Sequence, residues 1–494
     1  MKDMLYLKDL KKQNGLTNVQ LAEKSGIPLG TINKIFSGKT KLSLDNYNKL
    51  LNALSCTQSK SKNYNYIKCA LPSISIKLGS IQDNTQAICD KIKDCSLKGA
   101  DIISFSELSL TGVTLGEFIN QELIISATEK ALEKIVSQTK NYDSLIFVGA
   151  PIRVKGKVYS CAVAILNGNI LGITPSEFVE TAKISFLGRE VCFGNNIYKA
   201  KGGLCVACIV GDEYKSIQDT LLYAKNGANL IVHLCGSKEL VELDNVRKNL
   251  VKSASNVGVC GYLFNNAGFG ESSTDNVFGG KKIIAEKGKI IAESNLFNSQ
   301  DIYSEIDLGF LINERVKQNL IELNQLNTID IDFSYSGNVK FRQFSQTPFV
   351  PTDKKIAKER FEQILTMQAL GLKRRIEHTY SKKAVIGISG GLDSTLALLV
   401  AVRCFKLMKK DTKDILGITM PCFGTSGRTY NNALGLCNEF GIELQEIKIT
   451  DSVRVHFKDI GQDENLTDTT YENSQARERT QVLMDMANKV GGLV

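Results

Sequence analysis

The chain has 494 residues, 43% hydrophobic and 23% charged, with a formal net charge of +9. That length suits about three domains of ~150 residues, and the composition is that of an ordinary globular protein. No run of eighteen apolar residues occurs, and the start Met1-Lys2-Asp3-Met4-Leu5 lacks a signal-like apolar stretch, so no membrane partner and a cytoplasmic location are expected.

Residues 1–56 read as a compact helical module. Thr17 can cap a helix from Asn18 to Lys24, with Leu21 and Ala22 inward, and Gly26 supplies the turn. A second helix follows from Pro28 to Phe36 and ends at Gly38; Ile32, Ile35 and Phe36 form its apolar face, and Asn46 to Leu54 closes the core. Residues 1–60 carry ten lysines and four acidic residues, a basic balance that suits a polyanionic partner. The module resembles the helix-turn-helix domain of phage-repressor-type regulators. The resemblance places residues 29, 30, 31, 33 and 34 in a DNA major groove. Of these, Thr31, Asn33 and Lys34 can reach bases or phosphates. A small bundle kept for protein contacts is the plainer alternative. Residues 57–66 are polar and patternless, a linker.

Residues 67–308 alternate short apolar runs with helical stretches. Strand candidates include Ile74-Ser75-Ile76, Ile102 to Phe105, Leu145 to Val148, Cys161 to Ile165, Val206 to Val210 and Leu230 to Val232. Helical spacing fits Asn84 to Leu97 and Glu122 to Thr139. This is an α/β sandwich pattern. The 13 cysteines are scattered and odd in number, as expected of reduced thiols rather than a disulfide framework. Cys205-Val206-Ala207-Cys208 lacks a second pair at zinc spacing, and its apolar flanks point to buried strand residues.

Residues 309–355 form a connector ending in Thr347-Pro348-Phe349-Val350-Pro351. From 356 a long amphipathic helix leads to an apolar run, Ala384 to Ile388, and then to Ser389-Gly390-Gly391-Leu392-Asp393-Ser394 before a second helical pattern from Thr395. Strand, glycine-rich turn and helix in that order make a phosphate cradle. The glycines allow positive φ and clear the approach, and free N–H groups at a helix start attract an anion. The Gly-Lys-Ser/Thr ending of a kinase or GTPase loop is missing. A further βα pattern starts at Ile415, and Gly491 to Val494 looks like an incoming strand, which would be an apolar sheet edge.

The segment 385–395 resembles the pyrophosphate loop of ATP pyrophosphatases. Ile418-Thr419-Met420-Pro421 leading into Gly424-Thr425-Ser426, and Tyr471-Glu472-Asn473-Ser474-Gln475-Ala476-Arg477, narrow the likeness to glutamine-dependent NAD+ synthetases. Phe105 to Gly112 and Ala267 to Asp275 resemble the nitrilase-fold glutaminase half of those enzymes. The resemblance implies a multidomain fold. A small all-α helix-turn-helix comes first, then an α/β/β/α nitrilase-like sandwich over 67–308. An α/β parallel-sheet domain of the adenine nucleotide alpha hydrolase-like (PP-loop) kind follows over 356–494, truncated relative to the family. It also implies a ligase reaction: ATP adenylates deamido-NAD+, and ammonia, free or from glutamine, displaces AMP. Gly387, Ser389, Gly390, Gly391, Leu392, Asp393, Ser394 and Thr395 would hold ATP, Mg2+ would offset phosphate charge, and Asn473 would contact the dinucleotide. A homo-oligomer is expected.

Glutaminases of this kind use a Glu-Lys-Cys set. Glu107 matches the glutamate. In the lysine's place, after Gly172-Ile173-Thr174-Pro175, stands Ser176, and in the nucleophile's place, two residues before Asp212, stands Val210. Cys208 would share a strand face with Val210 but sits roughly 6–7 Å away; only a two-residue slip in alignment would make it the nucleophile. Lys183 is a displaced candidate for the lysine. The expectation is a glutaminase-like domain that does not hydrolyse glutamine. The rival reading is a helix-turn-helix regulator whose degenerate enzyme halves sense a nucleotide. A GMP synthetase suits residues 471–477 and the nitrilase-like half less well.

Overall fold

The computed structural model describes residues 7, 11, 17–37, 40, 43, 46, 49–50, 65–272, 275–318, 323, 325–423 and 427–494. It divides into two compact units, Met1–Gln343 and Phe344–Val494.

In the first unit, α1 (Asn18–Ser25) opens on a capping box: the Thr17 hydroxyl accepts from the Gln20 N–H, and the Gln20 side chain accepts from the Thr17 N–H. Gly26 turns the chain at φ +68°, and α2 (Leu29–Phe36) follows. Ile32 and Ile35 on α2 pack with Leu21 and Ile27. The expected third segment, Asn46 to Leu54, lies largely outside the described residues, as do Gly38 and most of the expected linker.

The remainder of the unit is a four-layer sandwich. Its strands in chain order are β1 (Tyr66–Leu71), β2 (Ile102–Ser104), β3 (Leu145–Val154), β4 (Lys157–Leu166), β5 (Asn169–Pro175), β6 (Ala182–Phe186), β7 (Arg189–Phe193), β8 (Asn196–Ala200), β9 (Cys205–Val210), β10 (Leu230–Cys235), β11 (Gly261–Asn266), β12 (Lys282–Glu286), β13 (Lys289–Glu293), β14 (Ile302–Asp307) and β15 (Asn327–Ile331). One sheet runs β14-β1-β2-β3-β4-β5-β7-β6 and the other β13-β12-β11-β10-β9-β8-β15. The period-two rule explains their burial. Along β9, Val206, Cys208 and Val210 enter the core between the sheets, whereas Ala207 and Ile209 face the outer helices. Helices α3 (Ile81–Leu97) and α4 (Glu122–Gln138) cover the first sheet; α5 (Ser216–Lys225) and α6 (Leu243–Val257) cover the second. On α3 the buried residues Ile81, Thr85, Ile88, Ile92 and Cys95 fall three or four apart, one stripe of an amphipathic helix.

The expected strand at Ile74 to Ile76 is a loop, and the first strand is β1. Pro72 has no N–H to continue the ladder, so pairing stops at Leu71. Near the unit's end, α7 (Leu308–Lys317) follows β14. Glu305 on β14 is fully buried. Its carboxylate accepts the N–H groups of Lys340, Phe341 and Arg342 at 2.7, 2.9 and 2.6 Å, and the Arg342 guanidinium pairs with Glu286 at 2.7 Å.

The second unit holds α8 (Lys354–Thr379), β16 (Lys383–Gly387), α9 (Leu392–Leu407), β17 (Ile415–Thr419), α10 (Gly427–Glu439), β18 (Glu443–Glu446), α11 (Thr450–Ile460), α12 (Thr469–Val490) and β19 (Gly492–Leu493). The sheet β18-β17-β16-β19 is entirely parallel. One face packs on α8, α9 and α10 through Ala369, Ile376, Leu398, Phe405 and Ala433. The other packs on α11 and α12 through Val453, Phe457 and Ala487. Burial on both faces is what parallel strands require.

Candidate functional site

In the second unit, the carboxyl end of the central strand β16 delivers the glycine-rich turn. The Ile388 N–H donates to the Ile418 carbonyl at 2.8 Å, which continues the ladder up to the turn. Gly390 then takes φ +76°, a left-handed conformation that costs most other residues energy. Gly391, extended at φ −88° and ψ 169°, stands before α9. Hydroxyls brace the turn from inside. Ser389 Oγ and Ser394 Oγ are 3.1 Å apart, the Gly391 N–H donates to Ser389 Oγ at 3.2 Å, and Thr395 Oγ1 donates to the Gly391 carbonyl at 2.8 Å. The N–H groups of Leu392, Asp393 and Ser394 begin the helix and have no intrahelical acceptor. They face the mouth of the turn with the positive end of a sixteen-residue helix behind them. Asp393 is exposed, enters no ion pair among the described residues, and lines a cavity of 610 Å³ with Gly387, Leu396 and Leu493.

Residues 387–395 thus form one continuous turn between β16 and α9. Asn473 is placed separately, exposed on α12, where it and Arg477 line another cavity of 630 Å³. Aromatic packing sets that end of α12: the Tyr471 ring lies 5.8 Å from Phe423 and 5.7 Å from Phe457. Gly424, Thr425 and Ser426 lie outside the described residues.

In the first unit, polar residues collect at the carboxyl ends of β2, β5, β9 and β10. Glu107 follows β2. Its N–H donates to the Cys235 carbonyl at 3.3 Å, and its carboxylate accepts from Ser160 Oγ at 2.7 Å. A glycine at 149 makes room for this loop, since a Cβ there would meet Ser106 O at 2.3 Å. Burial raises the Glu107 carboxyl above its ordinary value, opposed by the Ser160 hydroxyl and the Lys215 charge. Nearby Glu271, which accepts the Val113 N–H at 2.9 Å, is pushed up to about 7, chiefly by burial.

Val210, the last residue of β9, is buried. Cys208 lies on the same face, as the strand period requires, fully enclosed between the sheets, and burial holds its thiol well above the ordinary range. It is an inert core thiol. Lys183, the displaced lysine candidate, is corrected: it sits in the β6–β7 hairpin, exposed and paired with Glu190 at 2.6 Å. The lysine that does reach this region is Lys215. A single 3-10 turn after β9 folds it back, and its ammonium donates to the carbonyls of Ser176 and of Val210, the latter at 3.2 Å. Sequence reasoning missed it because it lies five residues past Val210, outside any motif position; the signal was Gly211, whose φ of +123° permits the fold-back.

On the helix-turn-helix, Asn33 and Lys34 are exposed and Thr31 partly so. The Asn33 side-chain carbonyl accepts from Asn18 Nδ2 at 2.6 Å, so α1 fixes its rotamer. No helix among the described residues is long and apolar enough to cross a membrane, and these residues hold no cluster of metal-ligating side chains.

Residues 364–494 match the NAD synthase family, and residues 7–57 match a helix-turn-helix family. The glutamine-dependent NAD+ synthetase of Mycobacterium tuberculosis is 29% identical over 469 residues, which cover 87% of this chain and 69% of that one. Among solved structures, the glutamine-dependent NAD+ synthetase of Acinetobacter baumannii in complex with ADP aligns over 86% of this chain and 73% of its own, with 18% identity and a TM-score of 0.42. An amidase of the nitrilase superfamily from Nesterenkonia aligns over 52% of this chain and 97% of its own, with 13% identity and a TM-score of 0.41.

Proposed function

We infer that this chain, which has the architecture of a glutamine-dependent NAD+ synthetase behind an N-terminal helix-turn-helix module, is a ligase that amidates deamido-NAD+ at the expense of ATP. The observation that carries the reading is the turn at 389–394, with Gly390 left-handed and three helix-start amides that have no acceptor within the helix. ATP's phosphates fit against the amides of Leu392, Asp393 and Ser394, with the Ser389 and Ser394 hydroxyls as further donors. The carboxylate of Asp393, in no ion pair among the described residues, suits Mg2+, which when bound would neutralise charge on the departing pyrophosphate. The nicotinate carboxylate attacks the α-phosphorus and pyrophosphate leaves. Ammonia then attacks the mixed anhydride and AMP leaves, forming the amide. Asn473, with both a donor and an acceptor and lining an open cavity, would hold the dinucleotide on this reading.

The nitrogen source on this reading is free ammonia, because residue 210 is valine and Cys208 is sealed in the core. The test is the full chain with deamido-NAD+, Mg2+ and ATP, supplied with either ammonium or glutamine. NAD+, AMP and pyrophosphate in equal amounts with ammonium, and none above background with glutamine, are expected. Failure to form NAD+ with ammonium overturns the ligase reading; glutamate released from glutamine overturns the nitrogen-source reading.

One observation favours a second role beside it. The capped α1, the exposed Asn33 and Lys34 on α2, and the family match over 7–57 support reading this end of the chain as a DNA-binding module. A gel shift on DNA upstream of the chain's own gene, responsive to ATP or deamido-NAD+ and lost in Asn33→Ala/Lys34→Ala, would support a regulator that senses its substrates.

A further inference from the structure

The nitrilase-like site departs from its expected residues at two positions, yet the structure places a lysine between them. Lys215 reaches the site from the wall opposite the one expected to supply it. The expected position, Ser176, lies just past β5 in one sheet; Lys215 comes back from the end of β9 in the other. Its Nζ donates to the carbonyls of Ser176 and Val210. The ammonium therefore lies between the two positions the resemblance assigns to the lysine and the nucleophile. The backbone is shaped around it: a Cβ at Gly211 would sit 2.9 Å from Nζ. An ammonium has three N–H donors. Two serve these carbonyls, and the third has no acceptor among the described residues. Glu107, held by Ser160, completes the group, and a Cβ at Gly236 would lie 2.8 Å from its carboxylate. Glu107, Ser160, Ser176, Lys215 and Gly236 all keep partial solvent exposure, so the site is open at the rim of the sandwich.

We propose that Lys215 has taken the place of the missing lysine, so that this site lacks a nucleophile and nothing else. The proposal rests on the reading above that Val210 occupies the nucleophile position. With a thiol there, the chemistry balances. Sulfur attacks the carbon of a primary carboxamide, the C–N bond breaks, and Glu107 passes the thiol proton to the departing ammonia. Water then attacks the thioester carbon, giving its proton through Glu107 to the sulfur, and a carboxylate is released. Lys215 donates its third N–H to the oxygen that gains charge in both steps. In the chain as it stands Lys215 holds the Ser176 and Val210 carbonyls together and lends positive charge to the Glu107 carboxyl.

The test uses the full chain as wild type, Val210→Cys, Val210→Cys/Lys215→Met and Val210→Cys/Lys215→Arg, with glutamine as substrate and ammonia release as readout. Cysteine is smaller than valine, so the core is not overpacked. Wild type is expected to be silent and Val210→Cys active. Methionine at 215 should lower that activity about a hundredfold or more, the usual loss of an oxyanion donor, and arginine should recover part of it. A folded but silent Val210→Cys overturns the proposal, as does equal activity with methionine at 215. Ammonia release by wild type would instead overturn the reading of Val210. Should Val210→Cys not fold, the Glu107 carboxyl is titrated by carbon NMR in wild type and Lys215→Met. Its midpoint should rise when the ammonium is removed, and an unmoved midpoint overturns the proposal.

Discussion

Replacing Gly390 by alanine isolates the conformational requirement of the phosphate turn. Gly390 holds φ +76°, and an L-residue in that region costs roughly 1–2 kcal/mol. In the free chain the turn can relax to a right-handed form, which would disperse the amides of Leu392, Asp393 and Ser394. ATP then has to restore the left-handed turn from its own binding energy. A cost of that size lowers the competent fraction, and so the apparent affinity, by about 5–30-fold. Gly391→Ala is the matched control for strain: at φ −88° any residue is at ease, and the nearest atom to a new methyl is Ser389 Oγ at 3.3 Å. Titration calorimetry with Mg-ATP and with AMP reads both effects. Gly390→Ala should weaken ATP while leaving AMP nearly unchanged, because AMP lacks the groups the amides hold. Wild-type ATP affinity in Gly390→Ala, or an equal loss for AMP, would refute the argument.

Glu271→Gln should flatten the pH dependence of stability. The native carboxyl titrates at about 7 against an ordinary 4.5, so it keeps its proton where the unfolded chain has lost it. Stability from this group is full below pH ~4.5 and falls as pH rises to ~7, by at most about 3 kcal/mol; urea midpoints across pH for wild type minus variant should show that slope. Cys208 should resist iodoacetamide in the native chain and react once the chain is unfolded in urea, because it is sealed between the sheets; labelling located by mass spectrometry checks both. On the helix-turn-helix, Lys34→Ala should reduce the slope of log affinity against log salt for DNA by about 1, and Thr17→Ala should cost that module about 1 kcal/mol through the lost cap.

Local patterns were readable where their causes are local. Thr17 and Gln20 form a cap within four residues, and β9 reads as an unbroken apolar run because both its faces are buried. The turn at 389–394 was visible because glycine, serine and aspartate in that order have few other uses. Strand β1 was hidden by Lys68, which is buried and whose ammonium finds Ser336 at 2.8 Å, far away in the chain. Ile74 and Ile76 mimicked a strand by alternation alone, with Pro72 ahead of them to stop the ladder. Lys215 was invisible for a related reason. Its role depends on which two carbonyls a fold-back brings to it, and a motif compares positions along the chain, not places in space.

The grip of Glu305 on Lys340, Phe341 and Arg342 decides where the chain can be cut. A protease must draw several residues out into its cleft, and three amides clasped by one interior carboxylate do not come away singly. From Gln343 to Val350 every residue is exposed, so a cleft can reach them from solvent. Nicking would therefore begin after Arg342, and the fragment released would keep its last strand-side tether intact.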